Sequence, residues 1–93
     1  MNYQYPLEET WSTEEIVDVI HFFNLIEKAY ETSVDRNELL RAYRKFKEIV
    51  PSKSEEKIYF SDFEKGSTYS SYHVVKKARD SNEQFIRMKK SSY

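Results

Sequence analysis

The sequence predicts an all-α fold, a single small domain of about four helices packed irregularly around the helix nearest the N-terminus. The 93-residue chain has one Gly and two Pro, too few for the tight turns that hairpins and barrels require. Two stretches, beginning at Ser12 and Asp35, carry the residue pattern that starts helices. We therefore predict one domain over residues 1–93, with an extended arm at 1–10 and a tail at 91–93.

The first helix is predicted to begin after Ser12 and to continue to Tyr30. Ser12 can cap the helix, and Glu15, three residues later, can accept a hydrogen bond from the Ser12 amide, which together form a capping box. The apolar residues that follow cover well over half of the helix circumference. A surface helix needs only about a 100° apolar stripe. We therefore expect this helix to be packed on several sides and to form the core.

The second helix is predicted from Asp35 to Val50. Asp35 is the cap, and Val34 and Leu39 are placed to pack against each other across it. One stripe of the helix is apolar, and Pro51 ends the helix because proline lacks the amide that would continue it.

A third, shorter helix is predicted over residues 52–66, with Ser52 or Ser54 as its cap and Gly66 as its stop. The apolar residues 58–60 could instead form a strand, but the chain offers no partner strand. The sequence therefore favours the helix.

The last helix is predicted to run from Ser70 to Lys89, with Tyr72 and Val75 on its core-facing stripe. The segment Asp80-Ser81-Asn82 has low helix propensity and could restart a cap. Because the apolar stripe keeps its phase across this segment, we expect one continuous helix.

Several short motifs together resemble the YktA-like uncharacterised proteins of low-GC Gram-positive bacteria. The motifs are Tyr5-Pro6-Leu7, Trp11-Ser12-Thr13-Glu14-Glu15, Phe46-Lys47-Glu48-Ile49-Val50-Pro51 and Tyr69-Ser70-Ser71-Tyr72. The resemblance covers nearly the whole chain. It implies a small helical cytoplasmic protein and brings no activity, cofactor or catalytic residue. Such proteins often have Gly directly before the position of Tyr69, where this chain has Thr68.

Composition argues against several classes of protein. No stretch approaches the roughly 18 apolar residues of a membrane span, and no signal peptide opens the chain. Cys is absent, which excludes disulfides, thiolate chemistry and cysteine-ligated metals. We expect a cytoplasmic protein without a cofactor and without membrane attachment.

Charge is distributed unevenly along the chain. Residues 1–32 hold seven acidic residues and one base, for a net charge of −6, whereas residues 33–93 hold fourteen bases and nine acids, for a net charge of +5. The default interpretation is that an acidic first helix lies beside basic later helices, so that the charges complement each other within the fold. The alternative is a basic face that binds an anionic partner.

No set of residues in the sequence forms a convincing catalytic or metal site. Glu14, Asp18 and His21 share one helical face, but helical di-iron sites need two Glu-x-x-His helices and further carboxylates. His73 lies beside hydroxyl residues without a visible orienting acid. Residues 66–68 lack the glycine-rich pattern that binds phosphate. We therefore predict no enzyme and no metal.

Aromatic residues supply the positive functional signal, since interfaces favour them and eight residues are Tyr. Tyr69, with one or both of Tyr3 and Tyr5, is predicted to border an exposed patch that binds a protein partner or a second copy of the chain. The other interpretation is that these rings, with Tyr72, are buried and fill the small core. The alternative is nucleic-acid binding through the basic faces of the second and last helices. These faces carry Arg36, Arg41, Arg44, Lys45, Lys47, Lys76, Lys77, Arg79, Arg87, Lys89 and Lys90. The interspersed acids and a sequence pI near 6.1 argue against nucleic acid.

Overall fold

The computed structural model describes residues 5–89, which form four helices and one two-stranded sheet. The helices are α1 (Thr13–Glu31), α2 (Arg36–Ile49), α3 (Lys53–Ser67) and α4 (Ser71–Asp80). The strands β1 (Val34–Asp35) and β2 (Phe85–Ile86) pair antiparallel, with Val34 opposite Ile86 and Asp35 opposite Phe85. The prediction of a mainly helical domain with four helices is confirmed.

The start of α1 agrees with the sequence prediction. The Ser12 Oγ atom accepts a hydrogen bond from the Glu15 amide at 3.1 Å, and the Ser12 amide donates to Glu15 Oε1 at 2.8 Å. This reciprocal pair satisfies two of the amides that a helix start leaves without a partner.

Substitution of Ser12 with Ala is expected to lower the free energy of unfolding by about 1 kcal/mol, because a first-turn amide loses its acceptor. Chemical denaturation of Ser12→Ala, Glu15→Ala and the double variant measures the coupling. If the two side chains act as one unit, the second substitution adds little to the first. Full additivity in this cycle would contradict the reciprocal arrangement.

The core is centred on α1, as predicted. Five Phe side chains from α1, α2 and α3 form one cluster, with contacting ring centroids 4.5–6.4 Å apart: Phe22, Phe23, Phe46, Phe60 and Phe63. Phe22 and Phe23 are neighbours in sequence and are both fully buried. α1 therefore meets other elements on more than one side, as its wide apolar face predicts.

Two further helices also begin as predicted. Asp35 caps α2 by accepting from the Glu38 amide at 3.0 Å, and Ser52 caps α3 by accepting from the Glu55 amide at 3.4 Å. α2 ends at Ile49, just before Pro51. Residues 58–60 are helical, so the preference for helix over strand is confirmed.

The predicted stop of α3 at Gly66 is wrong, because the helix continues to Ser67 and turns at Thr68. Thr68 takes φ 69° and ψ 5°, a left-handed conformation that is rare for a β-branched residue. The Ser67 hydroxyl holds this turn, since it donates to the Phe63 carbonyl at 2.7 Å and accepts from the Tyr69 amide at 3.0 Å. The left-handed residue is thus the one directly before Tyr69.

Replacement of Thr68 by Gly is expected to raise the free energy of unfolding by about 0.5–1 kcal/mol. Gly removes the Cβ clash of the left-handed conformation, and this gain exceeds the extra freedom that it gives the unfolded chain. Thermal melts of Thr68→Gly and of the control Thr68→Ala, which keeps the Cβ atom, measure the difference. A lower melting temperature for the Gly variant than for the wild type would contradict the assignment of strain.

The prediction of one continuous last helix to Lys89 is wrong. α4 ends at Asp80, the Ser81 hydroxyl accepts from the Glu83 amide at 3.0 Å, and the chain turns back as β2. The returning segment supplies partners that the helix ends lack. The Arg36 amide at the start of α2 donates to the Gln84 carbonyl, and the Met88 amide donates to the Ala29 carbonyl at the end of α1, both at 2.8 Å.

The predicted core position of Tyr72 is also wrong. α4 buries Ser71, Val74, Val75 and Ala78, which are spaced as one helical face. Tyr72 lies off that face, and 59% of the residue is exposed. The sequence predicts Tyr72 on the core-facing stripe because Phe85 and Ile86 continue that stripe in a helix. These two residues belong to β2, so they carry no information on which face of α4 is buried.

Candidate functional site

Two of the tyrosines predicted to border an aromatic patch, Tyr5 and Tyr69, are half-buried and contact polar side chains of α1. The Tyr5 ring packs on Phe23 and Phe63 at centroid distances of 6.1 and 5.9 Å. Its hydroxyl oxygen lies 2.7 Å from Glu27 Oε1 and 2.6 Å from Asn24 Oδ1. A phenol has one proton and cannot donate to both oxygens. Exchanging the oxygen and nitrogen of the Asn24 amide resolves this, because Asn24 then donates to the Tyr5 hydroxyl and Tyr5 donates to Glu27.

Tyr69 reaches the same part of α1 from the turn between α3 and α4. Its ring stacks on Tyr30 with centroids 4.6 Å apart, and its hydroxyl donates to Glu31 Oε2 at 3.2 Å. The Tyr30 hydroxyl in turn accepts from the Ser70 amide at 3.2 Å. The structure thus brings Tyr5 and Tyr69 to adjacent carboxylates, whereas Tyr3 lies outside the described residues.

Electrostatics keep these phenols in their donor form. Burial, and then the negative charge of Glu31, raise the pKa of Tyr5 and of Tyr69 above the usual value. A neutral phenol can donate a hydrogen bond to a carboxylate, and this bond holds the segment that carries the phenol against α1. Tyr5 and Tyr69 therefore attach the N-terminal arm and the α3–α4 turn to α1.

Glu27 has a raised pKa, first because it is partly buried and second because Glu31 lies nearby. The folded chain therefore takes up a proton on Glu27 more readily than the unfolded chain, so that ionised Glu27 opposes folding at neutral pH. We expect Glu27→Gln to raise the melting temperature slightly at pH 7, because Gln can still accept from Tyr5.

The higher melting temperature of Glu27→Gln relative to the wild type should shrink as the pH falls through the raised pKa of Glu27 toward the ordinary value of 4.5, because wild-type Glu27 then also becomes neutral. Thermal melts between pH 4 and 8 measure it, with the exposed Glu48→Gln as control. A gain that grows toward acid pH would contradict the direction of the pKa shift.

Two of the residues weighed as catalytic or metal candidates, His73 and His21, contact other side chains of the fold. His73 Nδ1 lies 2.7 Å from Ser70 Oγ, but Ser70 is the N-cap of α4 and accepts the His73 amide at 3.2 Å. His21 Nε2 lies 3.7 Å from Glu38 Oε2. Within residues 5–89, no three His, Asp or Glu side chains are grouped closely enough to hold a metal ion.

Several of the basic residues proposed to bind nucleic acid are used inside the fold. Arg36 Nε donates to the Ala78 carbonyl at 2.6 Å, near the end of α4. Lys77 Nζ donates to the Arg87 carbonyl at 2.7 Å, and the Arg79 guanidinium lies 5.2 Å from the centroid of the Tyr43 ring. These contacts leave a smaller basic surface than the sequence suggests.

The expected charge complementarity between α1 and the later helices is not seen as ion pairs. The structure between residues 5 and 89 holds two lysine–carboxylate ion pairs, Lys47–Glu56 and Lys76–Asp80, and neither includes a carboxylate from the acidic N-terminal third. Within residues 5–89, any charge complementarity between α1 and the later helices therefore acts at longer range than an ion pair.

A groove between α3 and α4 is the surface that the sequence did not predict. Two adjoining depressions of about 540 and 220 Å³ share Phe60 and Tyr72. The α3 residues on this groove follow helical spacing, and they are Lys53, Glu56, Lys57, Phe60, Ser61 and Glu64. We call this surface, including Tyr72, Val75, Lys76 and Arg79 of α4, the α3–α4 groove.

The α3–α4 groove carries more positive than negative charge. Three carboxylates line it: Glu56 is bound by Lys47 and by the Tyr43 hydroxyl, Asp80 lies 3.7 Å from Lys76, and Glu64 is exposed at the end of α3 away from Lys53. Lys53 and Lys57 are exposed and form no ion pair within the described part of the chain. The groove is therefore basic at the end lined by Lys53 and Lys57, and Glu64 is the exposed acid at its other end.

A larger depression of about 960 Å³ lies on the other side of α4, but its charges balance. Lys76, Lys77 and Lys89 line it together with Glu64, Asp80 and Glu83, and its aromatic ring, Tyr30, is already stacked on Tyr69. It offers neither a surplus of charge nor an open ring.

No helix between residues 5 and 89 has the length and apolar character needed to cross a bilayer.

Comparison with known proteins identifies the family. A profile of the uncharacterised protein family UPF0223 matches residues 2–87. A UPF0223 protein of Oceanobacillus iheyensis is 69% identical over 88 residues, and YktA of Bacillus subtilis is 59% identical over 88 residues; each match covers 95% of this chain and 100% of the relative. A UPF0223 protein of Streptococcus uberis is 58% identical over 79 residues, 85% of this chain and 86% of the relative. The resemblance to YktA-like proteins is confirmed, and the chain belongs to the UPF0223 family.

Proposed function

We propose that this protein is a non-enzymatic interaction module that binds a partner protein through the α3–α4 groove. The observation that carries the proposal is the position of Tyr72, which is 59% exposed beside the nearly buried Phe60. Tyrosine buries a large area on binding at a modest entropic cost and is enriched among the residues that dominate interface energies.

The tyrosines first predicted for this role fit it less well. Tyr5 and Tyr69 already use their rings and hydroxyls in contacts with α1, so binding a partner through them would require these contacts to be exchanged. Tyr72 contacts His73 edge-on, at a centroid distance of 5.4 Å, and keeps most of its surface open.

The non-enzymatic part of the proposal rests on the use of Ser70. Its Oγ atom accepts the His73 amide as the helix cap, and within residues 5–89 no carboxylate pairs with His73 to orient it as a general base. We place the module in the cytoplasm. A chain without Cys has no disulfide to form, so it can fold in that reducing compartment.

Nucleic-acid binding keeps one supporting observation and is the second candidate. Arg41, Arg44 and Lys45 are exposed and share one face of α2. Three cations would support weak, salt-dependent binding to phosphates.

An affinity pull-down from native lysate separates the two candidates. We expect the wild type and Phe85→Ala to capture the same protein with or without nuclease, and Tyr72→Ala to lose it. Phe85 is a matched control because it is 54% exposed and does not line the groove. Capture that is equal for Tyr72→Ala and the wild type would refute the proposal, and capture that disappears with nuclease would favour the second candidate.

A further inference from the structure

The charges around the α3–α4 groove indicate the chemistry of the partner. We infer that the groove binds an acidic amphipathic helix of another protein, with an apolar side chain against Tyr72 and carboxylates against Lys53 and Lys57. This inference rests on the proposed function and makes it more specific.

The charge complementarity comes from two lysines that form no ion pair within residues 5–89. Lys53 and Lys57 are four residues apart on α3, so their side chains project from the same face. Both are exposed, and Glu56, the groove carboxylate on the same turn of α3, is already bound by Lys47. A partner with two carboxylates one helical turn apart would match this pair, and a basic partner would be repelled.

The apolar contact comes from the floor and wall of the groove. Phe60 and Val75 form a nearly buried floor, and Tyr72 stands beside them as an exposed wall. The groove side of α3 extends from Lys53 to Glu64, about 16 Å at 1.5 Å per residue. A partner helix of about three turns fits this length, and an amphipathic helix in a groove is a recurring mode of recognition.

A second copy of the chain is the competing occupant, because residues 1–32 are themselves acidic. That contact would join two different surfaces of the protein head to tail, and such a contact produces open-ended filaments unless the rotation between copies closes a ring. A different protein as partner does not form filaments, so we assign the groove to a different protein.

The test is an NMR titration of the ¹⁵N-labelled full chain with two synthetic peptides. Both are 14-residue helix-forming peptides with two Leu on one face; one carries Glu at the flanking positions and the other carries Lys. We expect the acidic peptide to shift the amides of residues 53–61 and 72–79 in a saturable way. The basic peptide should leave these amides unchanged.

Variants then test the individual contacts. Tyr72→Ala should weaken the acidic peptide about 30-fold, the loss expected for an interface anchor. Lys53→Glu should weaken it several-fold and reduce the salt dependence. The controls Phe85→Ala and Lys45→Glu lie outside the groove and should stay within twofold of the wild type. The dispersion of the amide spectrum shows that each variant is folded.

Three outcomes would overturn the inference: equal or tighter binding of the basic peptide, shifts outside the groove, or no saturable shift with the acidic peptide at millimolar concentration. If capture from lysate still depends on Tyr72 in that last case, the partner class is wrong and the proposed function stands. A self-association in sedimentation experiments that Tyr72→Ala abolishes would assign the groove to a second copy instead.

Discussion

Substitution of Phe23 with Ala is expected to lower the free energy of unfolding by about 3–5 kcal/mol, the range for a large aromatic side chain removed from a packed core. Phe23 is fully buried in the middle of α1. Its ring contacts Phe63 at a centroid distance of 4.5 Å and also packs against Phe22 and Phe46. The cavity would therefore open where three helices meet.

This loss is a large part of the roughly 5–15 kcal/mol that stabilises a natural domain. Urea denaturation and thermal melting measure it, and the melting temperature should fall by on the order of 15 °C or more. Val17→Ala is the control, because Val17 is on the same helix and is 58% exposed. A change of only one or two degrees for Phe23→Ala would mean that α1 is not the centre of the core.

Ile86→Ala is expected to cost about 2–5 kcal/mol, whereas Phe85→Ala should change stability by less than about 1 kcal/mol. Ile86 is fully buried opposite Val34 in the short sheet, and Phe85 is more than half exposed. Substitution of the smaller side chain should therefore be the more damaging of the two.

Urea denaturation of both variants tests whether β2 closes the fold. Unchanged m-values would show that the two variants unfold in the same cooperative transition as the wild type. A helix that continued past Asp80 would place Phe85 and Ile86 near one face, as the sequence pattern suggested. Equal losses for the two variants would therefore contradict the strand.

Local features of the fold could be predicted from the sequence because their physical causes are local. The hydroxyl of Ser12 and the carboxylate of Asp35 each cap an amide three residues away. Pro51 marks the end of α2 for an equally local reason. The wide apolar face of α1 predicted its central position, since a helix with such a face must be covered on several sides.

Features that depend on distant residues could not be predicted in this way. The end of α4 is determined together with the pairing of Ile86 to Val34, more than fifty residues earlier in the chain. The left-handed turn at Thr68 is held by Ser67, whereas the rule that Gly ends helices pointed to Gly66.

The candidate site was predicted only in its chemistry. The surplus of tyrosines indicated an aromatic surface, but burial along α4 shows that Tyr72, and not Tyr69, is the open ring. One signal could have found it. Val74, Val75 and Ala78 already form a complete helical stripe with Ser71, and this stripe leaves Tyr72 outside.

The hydrogen bonds made by residues 84–88 make the ends of α1 and α2 depend on the last described part of the chain. The aromatic cluster uses no residue beyond Phe63, but the Ala29 carbonyl and the Arg36 amide receive partners from Met88 and Gln84. Val34 is likewise paired with Ile86. A nick before Gln84 would therefore spare the residues of the cluster and expose Val34 and these two backbone groups, so this end of the fold is where local opening would begin.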